Sequence, residues 1–168
     1  SKAQTLAPMS KLLEEHQRVG ILSPCSLRWG ERLLLQQTKI KYFWFIHNNA
    51  LLLRRNFIES IMEIEKPDYF NFLFDGSNFR GYFSESELIA KAYANNWAAA
   101  ITTKVFAEEN ESYLLNKADL IRTESYDENI KLYIEEGQNW LRRKYGFNSR
   151  WSMQQYTKSF YESFFDFY

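Results

Sequence analysis

The segment Tyr69–Phe83, YFNFLFDGSNFRGYF, constrains the fold of this chain most, because two aromatic runs flank a turn signal within it. Seven of its 15 residues are aromatic. In each run phenylalanines alternate with other residues, which is the period of a β-strand, and the turn-forming residues 75–78 between the runs predict a hairpin. An isolated hairpin is marginally stable in water. We therefore expect this hairpin to lie at the centre of a sheet, with its phenylalanines under flanking helices.

Helices are predicted on both sides of this hairpin. Residues 50–65 carry an apolar stripe at helical spacing, and Pro67 ends the pattern. Ser84 and Glu87 match a capping box, which predicts a second helix from Ser84 to Trp97. The charged residues of the first helix fall outside its stripe and are expected to face solvent: Arg54, Arg55, Glu59 and Glu63.

Two further segments decide the order of the sheet. Residues 39–47, KIKYFWFIH, are apolar on both faces of a strand, which is typical of a central strand covered on both sides. Residues 98–106, AAAITTKVF, fit either a strand or an extension of the preceding helix. If they form a strand, the order over about 39–106 is β-α-β-β-α-β, the split βαβ arrangement of ferredoxin-like folds.

The rest of the chain reads mainly as helix. Residues 1–7 are expected to be a loose tail, and Ser23-Pro24 is interpreted as a break. Helical patterns occupy residues 8–19, 26–37, 128–144 and 150–167. We see no linker or repeat. The prediction is a single α+β domain over residues 1–168, with a small, mainly antiparallel sheet packed against helices and two C-terminal helices.

Composition excludes some classes of function and favours others. The 21 basic and 21 acidic residues give a formal net charge of zero, which disfavours a protein that binds nucleic acid over its whole surface. With Cys25 as its single cysteine, the chain forms no intrachain disulfide, and Cys25 is expected to be a small buried apolar residue. No apolar leader or membrane span is visible, so we expect a cytoplasmic protein that does not contact a membrane.

No catalytic or nucleotide-binding motif is present, and we expect no cofactor and no metal. Of the two histidines, His47 is the better candidate for a general base, because it lies at the end of a predicted strand. Acidic pairs such as Glu85 and Glu87 are expected to cap helices or to be solvated. A non-catalytic protein is favoured, and an enzyme with a carboxylate or histidine site stays open.

The C-terminal helix supplies the leading functional hypothesis. Its aromatic residues cover more than one face, which leaves some of them beyond what a core requires. Aromatic side chains dominate the energetics of protein interfaces. We therefore expect an interaction or regulatory protein that binds another protein, or a second copy of itself. The residues expected to contact the partner are Trp151, Phe160, Phe164 and Phe167.

A basic cluster supplies the alternative hypothesis, a nucleic-acid-binding domain. Basic side chains contact phosphates while aromatic rings stack on bases. The residues expected to serve this function are Arg80, Tyr82, Arg142, Arg143 and Lys144. The competing interpretation is structural, since cations in the last turn of a helix stabilise its carbonyl end.

Overall fold

The computed structural model describes residues 5–26, 39–45, 50–62, 73–78, 80–107 and 125–167. In this part of the chain a four-stranded mixed sheet packs against helices, so the predicted α+β class is confirmed. The strands are β1 (Val19–Cys25), β2 (Ile40–Phe43), β3 (Leu52–Leu53) and β4 (Ala98–Phe106). The helices are α1 (Leu6–Glu15), α2 (Arg55–Ile61), α3 (Ser84–Ala94), α4 (Tyr126–Leu132), α5 (Gln138–Tyr145) and α6 (Arg150–Phe167). A π-helical turn, Tyr133–Gly137, joins α4 to α5.

The sheet has the order β2-β4-β1-β3. Strand β4 lies inside it, antiparallel to β2 and parallel to β1, while β3 is antiparallel to β1. Residues 98–106 are therefore a strand, which resolves the choice left open by the sequence. The first residues of β4, Ala98, Ala99 and Ala100, are fully buried. Their small side chains let the covering helices approach the sheet closely.

Strand β1 is the main element that the sequence interpretation missed. The predicted helix over 8–19 ends earlier, at Glu15, and the predicted break at Ser23-Pro24 lies inside β1. All seven residues of this strand are buried. A parallel strand covered on both faces shows no alternation of polar and apolar residues, so the period-two signal that identifies strands is absent here.

The predicted hairpin differs from the structure. Residues 69–72 and 79 lie outside the described residues, and residues 73–78 and 80–83 form turns and bends rather than strands. The turn itself is confirmed, because the Asn78 amide donates to the Asp75 carbonyl at 3.0 Å and the Ser77 amide donates to Asp75 Oδ1 at 2.9 Å. Among the described strands, β4 occupies the inner position that the hairpin was expected to take.

The helices near this turn also begin differently from the prediction. The predicted helix over 50–65 contains β3 first, and α2 starts at Arg55. The predicted capping box is wrong: Phe83, in the left-handed region at φ 65°, precedes α3, and no side chain caps that helix. Phe83 tolerates this conformation because its ring is almost completely buried beside Trp140 and Met153 in a small second core.

Hydrogen bonds from two side chains hold the layers together. Tyr93 on α3 donates to the carbonyl of Phe43 at 2.7 Å and contacts that of Ala99 at 3.2 Å, which ties the helix to β2 and β4. Burial raises the pKa of the Tyr93 phenol, so it stays a neutral donor. Arg54 was expected to be solvated, but it donates to carbonyls of α1, of the turn after it and of the first residue of β1. Its contacts are Val19 O at 2.9 Å, His16 O at 3.2 Å and Leu13 O.

The predicted long helix over 128–144 is interrupted by the π-helical turn, and Gly137 explains how this turn packs. A Cβ atom at position 137 would lie 2.8 Å from the Phe83 ring and 2.9 Å from Tyr82 Cβ. Only glycine allows such close approach without displacement of the neighbours. The turn therefore sits directly against the residues that begin α3.

Candidate functional site

An open groove lies between α3 and the C-terminal part of the chain, and we call it the aromatic groove. Its volume is about 270 Å³. Its lining residues are Glu87, Ala90, Lys91, Ala94, Asn95, Tyr145, Phe147, Met153, Tyr156 and Phe160. Helix α3 supplies one wall, in which the small side chains of Ala90 and Ala94, one helical turn apart, alternate with the charged side chains of Glu87 and Lys91. Helix α6 and the segment before it supply the aromatic wall.

The aromatic wall is an ordered array of rings. The Tyr156 ring lies 5.4 Å from the Phe147 ring and 5.1 Å from the Phe160 ring, measured between centroids. The second pair is edge-to-face, the arrangement that aromatic quadrupoles favour. Tyr156 nevertheless exposes 53% of its surface, and Tyr145 exposes 37%. The groove therefore presents aromatic surface to the outside rather than closing over it.

Three charged side chains beside the groove contact one another. We call them the ion-pair network: Asp75, Glu87 and Lys144. Lys144 Nζ lies 2.8 Å from Asp75 Oδ2 and 2.9 Å from Glu87 Oε1. Glu87 is 2% exposed and also accepts a hydrogen bond from the Tyr145 hydroxyl. Trp140 Nε1 donates to Asp75 at 3.0 Å. The network thus joins the 75–78 turn, α3 and α5.

The charges of this network are held by their partners. Burial alone would raise the pKa of Asp75, but hydrogen bonds from Lys144, Ser77 and Trp140 outweigh burial and hold that pKa well below its ordinary range. Burial alone would lower the pKa of Lys144, but its hydrogen bonds to Asp75 and Glu87 outweigh burial and raise it. Asp75 and Lys144 are therefore both charged at neutral pH.

A second contact fixes α6 against α3. Arg150 Nη2 lies 2.5 Å from Glu85 Oε1, and Arg150 Nε donates to Ser86 Oγ at 3.1 Å. Glu85 and Glu87 were expected to cap a helix or to be solvated, but each pairs with a cation from the C-terminal part of the chain. These contacts hold both walls of the aromatic groove in place.

Of the residues expected to contact a protein partner, the three whose side chains are described do not form one surface. Trp151 exposes 65% of its surface, and Phe160 is half-buried in the aromatic groove. Phe164 is 7% exposed, and its ring lies 5.8 Å from that of Tyr93 in the main core. The side chain of Phe167 lies outside the described part of the chain.

Three of the residues expected to contact nucleic acid are engaged in contacts within the chain. Lys144 belongs to the ion-pair network. Arg80 pairs with Glu136 at 3.2 Å, and the Tyr82 ring packs edge-on against Tyr133 at 5.5 Å. The two remaining residues, Arg142 and Arg143, line a polar cleft of about 660 Å³. The other residues of this cleft are Ser77, Asn78, Glu135, Glu136, Asn139 and Trp140.

Within the described residues, the other candidates for chemistry do not converge on a site. His47 lies outside the described residues, and His16 is half-buried with Nδ1 2.9 Å from the Tyr42 hydroxyl. Cys25 is buried in β1, as the sequence predicted. Within the described ranges no group of three or more histidine, cysteine or acidic residues is arranged to hold a metal ion.

Most residues of the site were missed by reasoning from sequence, including both charged ones. Glu87 was assigned to a helix cap, and Lys91 was not singled out. The aromatic wall did carry a signal, since Met153, Tyr156 and Phe160 recur at i, i+3 and i+7 on one face of α6. The alanines that form the opposite wall carry no comparable signal, because an alanine pair in a helix is equally typical of packing.

Comparison of the chain with protein-family models, curated proteins and solved structures returns no significant match. In the part of the chain that the structure describes, no helix combines the length and the apolar character that crossing a membrane requires.

Proposed function

We propose that this protein is a non-catalytic interaction protein that binds a segment of a partner protein in the aromatic groove. The observation that carries the proposal is the open array of Phe147, Tyr156 and Phe160 facing the small side chains of α3. Tyrosine is among the residue types that supply most of the binding energy in protein interfaces. Because Ala90 and Ala94 lie opposite the aromatic wall, the groove has room for a side chain from outside.

The rigidity of the walls supports the same proposal. Binding costs less free energy when the groove is already formed, because fewer side chains and loops are ordered on association. Here Arg150 holds α6 to α3, and the ion-pair network holds α5 to α3. We expect the groove to keep its shape in the absence of the partner.

A display selection with random peptides tests the proposal. Ala94 is exposed at the end of α3 and lines the groove, so Ala94→Phe fills the groove from outside the core. Ala7→Phe is the matched control, since Ala7 is an exposed residue of α1 that does not line the groove. Peptides selected on the unmodified protein should bind Ala94→Phe at least tenfold more weakly and Ala7→Phe with unchanged affinity.

Two results would reject the proposal. One is a selection that enriches no peptide above background. The other is a set of enriched peptides that bind Ala94→Phe as tightly as the unmodified protein. Thermal unfolding of both variants verifies that a lost interaction is not lost folding.

One observation favours a second function, binding of nucleic acid. Arg142 and Arg143 are both exposed, and both line the polar cleft. Within the described residues neither forms an ion pair, although Arg142 Nε donates to Asn148 at 3.3 Å. The neighbouring Glu135 and Glu136 and the zero net charge oppose this function. A salt titration tests this second function. The affinity for a single-stranded oligonucleotide should fall steeply as the salt concentration rises, and Arg143→Gln should make this dependence on salt less steep.

A further inference from the structure

We infer that the partner segment bound in the aromatic groove carries a large apolar or aromatic side chain flanked by carboxylates. This inference rests on the proposed function and specifies the chemistry of the partner. A volume of about 270 Å³ admits one large side chain and parts of its neighbours, not a whole folded element. An inserted ring would add an edge-to-face contact to the array around Tyr156, each such contact being worth about 0.5–1.5 kcal/mol.

We expect the groove to prefer carboxylates because, of its two charged lining residues, Lys91 is more accessible than Glu87. Glu87 is 2% exposed, and Lys144 and Tyr145 already bind its Oε1 atom. A cation from a partner would have to compete with these bonds at Oε1. Among the described residues that line the groove, Glu87 is the acidic one, and it offers little surface to a ligand.

Lys91 is the accessible charge of the groove. Its ammonium lies 3.8 Å from Glu87 Oε1, beyond hydrogen-bond distance, whereas Lys144 lies 2.9 Å from the same oxygen. The side chain of Lys91 is 23% exposed, so a carboxylate at the rim can approach it. A partner carboxylate would form a closer pair than the one Lys91 has with Glu87. The aromatic groove is thus electrostatically complementary to an acidic segment, although its formal charges cancel.

Three blocked hexapeptides test this inference by fluorescence polarisation. The probe is acetyl-Gly-Asp-Phe-Asp-Leu-Gly-amide with a fluorescent label. In the second peptide lysine replaces both aspartates, and in the third alanine replaces phenylalanine and leucine. We expect the acidic aromatic peptide to bind at least tenfold more tightly than either of the others. The preference for aspartate over lysine should decrease as salt rises, because the pair at the rim is open to solvent.

Variants of the protein locate the binding and assign the charge effect. Lys91→Gln should reduce the preference for aspartate over lysine to threefold or less, whereas Lys131→Gln, an exposed lysine of α4, should leave it unchanged. Ala94→Phe should weaken binding at least tenfold, and Ala7→Phe should not. Amide chemical shifts on peptide addition should change over residues 90–95 and 153–160.

Each remaining outcome overturns the inference. The first is binding of the lysine peptide as tight as, or tighter than, that of the aspartate peptide. The second is a set of chemical-shift changes confined to residues outside the groove. The third is binding of phenylacetate, a single aromatic ring with one carboxylate, as tight as that of the aspartate peptide. A dimer that forms with concentration and is abolished by Ala94→Phe would assign the groove to a second copy of the chain. Selected peptides that occupy the groove but lack acidic residues would reject this inference and leave the proposed function standing. If no peptide occupies the groove, both are rejected.

Discussion

Replacement of Lys144 by methionine is the sharpest test of how the structure around the groove is held. Methionine keeps most of the apolar stem of lysine and removes the ammonium group that lies within 2.9 Å of both Asp75 and Glu87. Glu87 would then be a carboxylate at 2% exposure with Tyr145 as its hydrogen-bond donor and Lys91 at 3.8 Å. A buried charge that loses its main partner destabilises the folded state.

The magnitude follows from burial. Removal of one partner of a buried ion pair costs about 3–5 kcal/mol. The side chain of Lys144 is 26% exposed, so water screens part of the interaction, and we expect a loss of about 2–3 kcal/mol. For a chain of 168 residues this lowers Tm by roughly 5–10 °C. Addition of Glu87→Gln to Lys144→Met should restore part of the stability, because it removes the unpaired buried charge.

Urea and thermal unfolding followed by circular dichroism measure these losses. Lys131→Met is the matched control: its ammonium lies 3.9 Å from Glu135, and both side chains are more than half exposed. We expect this control to change stability by less than about 0.5 kcal/mol. If Lys144→Met costs no more than Lys131→Met, or if Glu87→Gln makes it worse, the reasoning about the ion-pair network is wrong.

The stabilities of the unmodified protein and of Lys144→Met should also depend differently on pH. Asp75 has a lowered pKa in the folded state, so its contribution is complete above its unfolded value of about 4 and is lost as pH falls through the folded value. Lys144 has a raised pKa, so its contribution is complete below about 10.4 and is lost as pH rises through the folded value. The stability advantage of the unmodified protein over Lys144→Met should therefore be largest from about pH 5 to 9. A difference that does not change from pH 2 to 9 would contradict this assignment.

Two further predictions concern packing. Gly137→Ala should destabilise the protein by about 1–2 kcal/mol in urea unfolding, because the added Cβ would lie 2.8 Å from Phe83 and this overpacking outweighs the gain in helix propensity. The control Asn139→Ala, at an exposed position in α5, should be neutral or stabilising. If both substitutions stabilise the protein, the close approach at Gly137 is wrong. Phe164→Ala should lower the free energy of unfolding by about 3–5 kcal/mol, because Phe164 is in the core. Trp151→Ser should lower it by less than about 0.5 kcal/mol, because Trp151 is 65% exposed. Equal losses would contradict the burial of one of these two side chains.

The sequence predicted the fold class and several elements, and the reasons for its failures are physical. Strand β2 and helices α3 and α6 follow from hydrophobic period, which is a local property. The sequence did not predict that β2 lies at the edge of the described sheet, since residues 39–47 were expected to form a central strand. Strand β1 does not follow from this period, because burial on both faces removes its alternation and its pairing partner, β4, is far along the chain. The aromatic residues at 69–83 suggested a sheet centre, yet Phe83 is buried at a helix start in a left-handed conformation.

The residues of the aromatic groove were predicted only in part for a related reason. Phe160 does line the aromatic groove, but Phe164, four residues later on the same helix, is in the core. Both belong to an aromatic helix that is apolar around much of its circumference, so periodicity could not separate the two faces. The role of Glu87 depends on Lys144, which only the folded chain brings within 2.9 Å.

The parallel pairing of β1 with β4 sets the order in which the chain can fold during its synthesis. Val19 pairs with Ala98, and Cys25 pairs with Phe106, so β1 leaves the ribosome long before its main partner. Until then a strand that is completely buried in the folded protein has no neighbour on that side, and such a segment is prone to aggregation or to capture by chaperones. A stalled nascent chain that ends before Ala98 should expose β1 to protease, and one that extends well beyond Phe106 should protect it.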